Sequence, residues 1–347
     1  MPITRRDFLA ASAAGVCLGA AAGFPLAATA GPRSRSLRIA HLTDIHLQPE
    51  LQAARGLAAC FSHLQTRPVA EGHAGQNGLD RQSVQDAADG APPDLIITGG
   101  DTIMDSFEAD TARTKLQWEL WRKVKADHCG MELHSVVGNH DVWGWSKGKS
   151  GTTGSEPLYG KRWVCDEFGR ELPYTSFDRA GWHVVLLDSV FPHQQSYIGR
   201  IDDAQWDWLE RDLAAVPVTT PVILFSHIPI LSALPFTLVS PAMPADAKPA
   251  DAKPAFTVHG GHVHVDVDRF AKLFQKHRHV KACASGHLHM VEQIDFGGVR
   301  YLCNGAVSGG WWKGRNRDTD FGYAVVDLFD DGTVERRYVP YGWTAAT

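Results

Sequence analysis

Five short groups of residues have the types and spacing to bind metal ions. In chain order they are Asp44-Ile45-His46, Gly100-Asp101, Gly138-Asn139-His140-Asp141, His227 and Gly286-His287-Leu288-His289. They supply carboxylate, imidazole and amide donors without a thiolate, which suits Mn, Fe or Zn. So many donors exceed the four that one tetrahedral ion takes, and they suit two ions about 3.5–4 Å apart. Two such ions can clamp the attacking and leaving oxygens of a phosphoryl transfer.

Each group directly follows a predicted strand. These strands span 37–42, 94–98, 133–137, 222–225 and 280–284. Helical spacing predicts helices at about 53–65, 108–126, 205–214 and 266–277, and further strands at 174–189 (two), 291–296, 299–303, 322–329 and 333–339. Strands that alternate with helices and end in hairpins predict an α/β sandwich with a mixed sheet. The five groups therefore meet at one rim of a sheet, where ligands of open α/β sheets bind.

The composition narrows the class of protein. The chain has 347 residues, of which 44% are hydrophobic and 21% charged, so it can bury a large core and is neither disordered nor fibrous. A formal net charge of −5 argues against a protein that wraps a nucleic-acid duplex. The 17 histidines exceed what core and surface positions ordinarily require, which supports a site with several imidazole ligands.

This ordered set of groups resembles the calcineurin-like metallophosphoesterase family. The resemblance runs from Leu37 to about residue 309 and implies a four-layer α/β/β/α sandwich with two mixed sheets and a dimetal site at the strand-end rim. It places the metallophosphoesterase domain at 37–342. It also implies two divalent or trivalent transition-metal ions (Mn, Fe or Zn) as cofactors and a small phosphate ester as substrate.

The resemblance also assigns roles by matching position. Asp101 would bridge both ions, and His140 would contact the substrate, stabilising phosphoryl oxygens or protonating the leaving group. A metal-bridging hydroxide would be the nucleophile. We expect an acid, Asp141 or Asp105, to orient His140. The terminal ligands would be Asp44, His46 and His289 for the first metal, and Asn139, His227 and His287 for the second.

Among the branches of the family, the first half of the chain and its Gly-Asn-His-Asp group look most like the cyclic-nucleotide phosphodiesterases. We therefore favour a phosphodiesterase acting on a nucleotide or another small diester. The alternatives are a phosphomonoesterase on the same dimetal site and a non-catalytic metal-binding or interaction protein. The complete set of ligands, with His140 beside it, gives no sign of a decayed site.

A second Gly-His-x-His pattern needs a separate interpretation. Residues 261–264 have the same form as 286–289, but they follow a loop rather than an apolar strand. We therefore interpret His262 and His264 as loop histidines near the rim. The aromatic and basic residues at Trp143, Trp145 and 311–315 have two interpretations. They form either a pocket wall with a phosphate-steering cation, or a set of tryptophans that packs to seal the edge of the sandwich.

The first 30 residues have the layout of an export signal. Arg5 and Arg6 precede a charge-free stretch rich in Ala and Gly, which closes with the small-x-small pattern at 28–30. This predicts a twin-arginine signal peptide, with the twin-arginine export machinery as partner and a periplasmic or secreted protein as product. An uncleaved membrane anchor is the alternative, and weak hydrophobicity argues against it.

Five cysteines follow the signal, and none forms a Cys-x-x-Cys pair. That spacing argues against a zinc ribbon or a thioredoxin-like site. Cys283 and Cys303 lie in neighbouring predicted strands and are close enough in the expected fold to pair. Buried free thiols are the interpretation that we favour.

Overall fold

The computed structural model describes residues 33–66, 91–238 and 257–345. The predicted signal peptide at 1–30 and most of the loops expected at 66–93 and 241–255 lie outside these residues. The strands are β1 (Arg35–Leu42), β2 (Leu95–Thr98), β3 (Leu133–Ser135), β4 (Thr175–Arg179), β5 (Trp182–Leu186), β6 (Val190–His193), β7 (Ser196–Gly199), β8 (Val222–Phe225), β9 (Val280–Ser285), β10 (Glu292–Phe296), β11 (Val299–Cys303), β12 (Gly322–Phe329) and β13 (Val334–Pro340).

Helices cover the outer faces of the sheets. They are α1 (Ala53–Thr66), α2 (Thr111–His128), α3 (Lys147–Ser150), α4 (Arg162–Phe168), α5 (Asp203–Ala215), α6 (Leu234–Leu238) and α7 (Val267–Lys276). A 3₁₀ turn at Asn139–Asp141 follows β3. No helix among the described residues is long and apolar enough to cross a membrane.

The strands form two mixed sheets and a separate hairpin. The first sheet has the order β13-β12-β1-β2-β3 and the second β10-β11-β9-β8-β5-β4. In the first sheet β1, β2 and β3 run parallel, and antiparallel pairing begins at β12 on one side. In the second sheet β11, β9, β8 and β5 run parallel, and antiparallel strands β10 and β4 flank them. The parallel strands bring their carboxyl ends to the same edge, which is where the metal-ligating groups were predicted.

Strand alternation divides the core into three layers. On β1, Leu37 and Ile39 face the second sheet, whereas Ala40 and Leu42 face α1 and α2. On the second sheet Val184 faces inward, and its neighbours on β5 face α5 and α7. A strand buried on both faces reads as a continuous apolar run rather than an alternating one. The four-layer α/β/β/α sandwich with two mixed sheets is therefore confirmed.

Local signals explain where the helices begin. Helix α2 starts at Thr111 rather than at 108, because the Asp110 side chain caps it by accepting the Arg113 backbone N–H at 2.8 Å. Asp202 caps α5 in the same way, through the Gln205 backbone N–H.

The β6–β7 hairpin was not among the predicted strands.

All five cysteines of the described residues are free thiols. Cys283 stands opposite Tyr301 and Cys303 opposite Glu292 in the sheet register, so the two thiols do not face each other. Both are buried, and burial raises their pKa values well above the ordinary value of 9.0. The interpretation as buried free thiols is confirmed.

Candidate metal centre

The predicted ligands come together at the strand ends of both sheets. Asp44, Asp101 and Asn139 follow β1, β2 and β3 of the first sheet, whereas His227 follows β8 of the second sheet. His287 and His289, which follow β9, complete the group from the second sheet. Loops from two sheets thus build a single cluster.

The first group consists of Asp44, His46 and His289. The His46 and His289 Nε2 atoms are 3.1 Å apart, and Asp44 Oδ1 lies 3.3 Å from His289 Nε2 and 3.9 Å from His46 Nε2. All three side chains are buried. One oxygen and two nitrogens therefore converge within the span that one ion requires.

The second group consists of Asp101, His227, His287 and Asn139. His227 Nε2 lies 3.2 Å from Asp101 Oδ2, 3.2 Å from His287 Nδ1 and 3.0 Å from Asn139 Oδ1. Carboxylate, two imidazoles and an amide oxygen again meet at one point. This is the set that the sequence assigned to the second metal.

Asp101 stands between the two groups. Its Oδ2 lies 3.6 Å from His46 Nε2 in the first group and 3.2 Å from His227 Nε2 in the second. Its Oδ1 accepts the His140 backbone N–H at 2.8 Å, which fixes the plane of the carboxylate. The geometry therefore suits a carboxylate shared by two ions.

Hydrogen bonds behind the ligands set which atoms are free. His289 Nδ1 donates to the Gly309 carbonyl at 2.7 Å and His227 Nδ1 to the Gly99 carbonyl at 2.9 Å, so in the neutral form of both rings Nε2 carries the lone pair that a metal takes. Asp44 Oδ2 accepts two hydrogen bonds, whereas the buried Oδ1 has no hydrogen-bond partner. A buried carboxylate oxygen without a partner is costly unless a cation completes it, so these residues fit a metal ion.

The backbone at the ligands adopts a conformation that non-glycine residues rarely take. Left-handed φ angles between 46° and 69° occur at five of the seven predicted ligands, namely Asp44, His46, Asp101, His287 and His289. Each such residue costs on the order of 1–3 kcal/mol, and such strain concentrates at functional sites. The surrounding sheets therefore hold the donors in place before any ligand binds.

Two glycines of the predicted groups are required by space. A Cβ on Gly286 would lie 1.8 Å from Thr43 Oγ1 and 2.3 Å from Asp44 Oδ2. A Cβ on Gly138 would lie 2.0 Å from the Asp101 backbone nitrogen. Close approach between ligand loops, rather than turn geometry, explains both positions.

Burial and neighbouring charges shift the pKa values in the metal-free protein. Burial lowers the pKa of His46 and of His287 to about 3, so both rings are neutral and able to ligate at neutral pH. Burial also opposes charge on His227, but the Asp101 carboxylate outweighs it and raises the His227 pKa to about 9. Metal binding at His227 therefore releases a proton.

His140 is assigned to neither terminal set, but one of its ring nitrogens lies within 4.8 Å of ligand atoms of His46 and Asp101. Its ring centroid is 4.9 Å from that of His46, and its side chain is 30% exposed. Asp105 Oδ1 lies 3.7 Å from His140 Nδ1. Burial lowers the His140 pKa, but Asp101 and Asp105 outweigh it and raise it to about 9, so the ring carries a proton that it can donate.

Asp141 does not occupy the position expected of an acid that orients His140. Its carboxylate is fully buried and accepts backbone N–H groups of Thr102 and Gly138 at 2.8 and 2.9 Å. These bonds brace the two loops that carry Asp101 and His140. The structure thus favours Asp105, the other candidate, as the acid beside His140 and gives Asp141 a bracing position.

The second Gly-His-x-His pattern lies near the rim, as expected for its histidines. The His262 ring centroid is 6.4 Å from that of His287, and His264 is buried with its Nδ1 bonded to Asp266. Neither belongs to a metal-binding group of the described residues.

The tryptophans divide between the two interpretations. Trp311 is 39% exposed, and its ring lies 4.5 Å from that of His289 and 6.0 Å from that of His46. Trp312 is buried behind the site, and its Nε1–H donates to the Ile45 and His46 carbonyls, each at 3.0 Å. Trp143 is buried against Trp163. Of these tryptophans, Trp311 lies at the metal centre, whereas Trp312 and Trp143 pack and the half-buried Trp145 lies against Phe107.

One residue beside the centre was missed by the sequence analysis. Tyr197 on β7 places its ring 6.0 Å from the His287 ring. Burial raises the pKa of Tyr197, and the Asp101 and Asp44 carboxylates add to the shift, so its phenol lies within electrostatic reach of the ligands. No sequence pattern marked it, because the hairpin carries no motif.

Comparisons with known proteins agree with this site. Residues 37–291 match the family model described as Calcineurin-like phosphoesterase. A dimetal phosphatase from Danio rerio superposes with a TM-score of 0.50 at 13% identity, covering 89% of this chain and 100% of that chain, which shows a shared fold. The anchor protein GAP50 of the inner membrane complex of Plasmodium gives a TM-score of 0.48 at 15% identity, with 90% and 86% covered. Among curated proteins, none matches the sequence.

Proposed function

Since this chain belongs to the calcineurin-like phosphoesterase family and is a metal-dependent hydrolase of phosphate esters, we propose that its substrates are small phosphodiesters, nucleotides among them. One observation carries this preference. The exposed Trp311 indole lies on the ring of the ligand His289, so a flat organic group bound there would stand next to the reacting phosphate. A diester has two organic arms, and an aromatic base or alcohol stacks well on indole.

The charges around the centre favour the same substrate. Within the described part of the chain, the ion pairs of Asp44 and Asp101 are all with histidines. A phosphomonoester approaches two negative charges near neutral pH, whereas a diester carries one. The positive charge of this site comes from metal ions and histidines, and no Lys or Arg of the described residues is paired with its carboxylates. Such a site is better matched to the single negative charge of a diester than to the two charges of a monoester.

We assign the roles of the residues from their positions. Asp44, His46 and His289 would hold the first ion, Asn139, His227 and His287 would hold the second, and Asp101 would belong to both sets. Two ions bound there would supply an activated water and polarise the phosphoryl oxygens. Asp101 also holds the His140 backbone through its Oδ1.

His140 donates its proton to the leaving alkoxide oxygen, or hydrogen-bonds a phosphoryl oxygen, from its position beside His46. Asp105, whose oxygen is 3.7 Å from Nδ1, keeps the ring protonated and oriented.

A comparison of two chromogenic esters tests the proposal. We expect kcat/KM for bis-p-nitrophenyl phosphate to exceed that for p-nitrophenyl phosphate in the metal-loaded enzyme. Trp311→Ala should lower the diester value more than the monoester value, by about 10-fold, since stacking contributes ~1–1.5 kcal/mol. A higher kcat/KM for the monoester would make the protein a phosphomonoesterase.

We also propose that the enzyme works after export, in the periplasm or outside the cell. The support is the arginine pair at Arg5 and Arg6 followed by an uncharged stretch. Replacing both arginines with lysine should leave the precursor in the cytoplasm. Normal export and processing of that variant would contradict the proposal.

A further inference from the structure

Two loops border the metal centre on the side of the second ligand group. One is the β6–β7 hairpin, and the other is the loop 257–266 that carries the second Gly-His-x-His pattern. Gly199 at the end of β7 ties them together, since its N–H donates to the Gly260 carbonyl at 2.7 Å and its carbonyl accepts the Val265 N–H at 2.8 Å. The two loops therefore form one wall.

Tyr197 gives this wall an aromatic face. Its ring meets that of the ligand His287 edge-on at 6.0 Å and that of Phe107 edge-on at 5.9 Å. A Cβ on Gly261 would lie 3.4 Å from Tyr197 Cε2, so the ring also rests on the glycine of the loop. Three contacts hold the phenol ring in one orientation beside the centre.

His262 adds a polar group to the same wall. Its ring centroid is 6.4 Å from that of His287, and its Nδ1 atom is buried without a hydrogen-bond partner. Its backbone N–H already bonds to the His259 carbonyl at 2.9 Å, so the loop conformation does not depend on the side chain. An unpartnered buried nitrogen lacks the hydrogen bond that such groups ordinarily make.

We propose that Tyr197 and His262 form a subsite for a hydroxylated alcohol arm of the substrate, a glycerol or a ribose, next to the second metal position. This inference rests on the proposed function and makes the substrate class narrower. A phenol and an imidazole can each donate to or accept from an alcohol hydroxyl. An aliphatic arm without hydroxyls leaves the His262 nitrogen unsatisfied.

The subsite divides the centre into two unlike walls. Trp311 lies against His289 and His46 of the first group and offers a flat surface, whereas Tyr197 and His262 lie against His287 of the second group and offer hydrogen bonds. A diester with one hydroxylated arm and one flat arm would present each arm to the matching wall.

Two diesters with a common leaving group test the subsite. The probes are p-nitrophenyl ethyl phosphate and p-nitrophenyl glyceryl phosphate, and the readout is the ratio of kcat/KM for the glyceryl ester to that for the ethyl ester. We expect a ratio above one in the metal-loaded enzyme. His262→Ala and Tyr197→Phe should each lower it by about 2- to 10-fold, the contribution of one hydrogen bond. The p-nitrophenyl ester of uridine 5′-phosphate shows whether ribose is preferred to glycerol.

A control variant and metal analysis make the outcomes distinct. His193→Ala removes an exposed histidine of the same hairpin and should leave the ratio unchanged. An unchanged ratio in His262→Ala and in Tyr197→Phe, with both metals bound, overturns the inference. So does an equal fall for both esters with loss of metal, because His262 would then support His287 instead of binding substrate.

The proposed function can fail separately. If the unmodified enzyme cleaves p-nitrophenyl phosphate but no diester, the diesterase proposal is wrong. The ratio of glycerol phosphate to ethyl phosphate hydrolysis then tests the same subsite with monoesters, and the same variants should lower it.

Discussion

Strand β1 carries one buried charge, Arg38, near its amino end, and a second buried charge, Asp44, follows its carboxyl end; the two have different partners. The Arg38 guanidinium binds both Asp327 oxygens, through Nε at 2.6 Å and Nη2 at 2.9 Å, and donates from Nη1 to the Ala91 carbonyl. Asp44, just past the other end, leaves Oδ1 without a hydrogen bond. The first charge is satisfied within the protein, whereas the second requires something that the chain does not supply.

The difference distinguishes a buried charge that is paired within the protein from one that is part of a binding site. A buried ion pair is tolerated when its geometry is bidentate and its remaining donors are bonded, as at Arg38. A buried carboxylate among histidines whose free nitrogens point inward has the opposite pattern. The first arrangement stabilises the fold, whereas the second requires a bound cation.

The largest effect is expected from the shared carboxylate. Asp101→Asn should lower kcat/KM by more than the ~10²–10⁴-fold that a general acid contributes, because it weakens both ions together. Metal content, measured by inductively coupled plasma mass spectrometry, should fall below that of His289→Ala, which affects one ion. A variant with two ions and full activity would break the distinction between a buried charge that the protein satisfies and one that requires a cation.

The next effect separates chemistry from metal binding. His140→Ala should keep both ions and lose about 10²–10⁴-fold in kcat. The loss should be smaller for p-nitrophenyl esters than for alkyl esters if His140 protonates the leaving group. Asp105→Asn should give a smaller fall, of about 10-fold, as outer partners do. Loss of a metal in His140→Ala would make His140 a ligand.

The satisfied charge should matter for stability alone. Arg38→Met should lower the free energy of unfolding by about 3 kcal/mol, the low end for a broken buried pair, because Arg35 Nε remains 3.7 Å from Asp327 Oδ1. Urea unfolding measures it, and Arg35→Met is the control, with an expected loss of less than about 1 kcal/mol. Activity per folded, metal-loaded molecule should stay at the wild-type value, and a lower value would contradict the division.

The smallest effect concerns a histidine that the protein satisfies by itself. His183 has Asp178 Oδ1 at 2.8 Å and Asp212 Oδ2 at 2.9 Å. Burial lowers its pKa, but hydrogen bonds to Asp212 and Asp178 outweigh this and raise it above 6.5. The stabilisation is therefore complete below about pH 6.5 and is lost as the pH rises through the folded-state pKa.

Urea unfolding of His183→Gln tests this pH dependence. The variant should be less stable than the wild type by up to about 1 kcal/mol near pH 6, and the gap should narrow as the pH rises above 6.5. A gap that widens with pH would mean that the ring is neutral in the folded protein.

The sequence allowed the ligand groups and the α/β sandwich to be predicted because both depend on local patterns, whereas the four layers followed from the family resemblance. Apolar runs such as Val222–Phe225 mark buried strands, and a polar group after each run marks the strand end. The five groups could be placed at one rim, since parallel strands share an edge. The order of strands within the two sheets was not predicted, because it depends on pairing between distant parts of the chain.

What the sequence could not provide depends on distant packing. Asp105 and Asp141 were both candidates from the sequence, and only the backbone bonds from Thr102 and Gly138 distinguish the bracing acid from the one beside His140. Tyr197 reaches His287 across 90 residues of chain, so no spacing rule could find it. Trp311 and Trp312 are adjacent and alike, yet one is exposed at the centre and the other is buried behind it.

Both ligand groups contain donors from both sheets, so an ion bound at either position links the two sheets of the sandwich. Folding and metal capture then form one equilibrium governed by mass action. Each tenfold rise in free ion above the dissociation constant adds about 1.4 kcal/mol to the free energy of unfolding. A chelator lowers the free ion concentration and therefore removes this stabilisation. We expect the loss at the rim, where side chains from both sheets contribute the ligands.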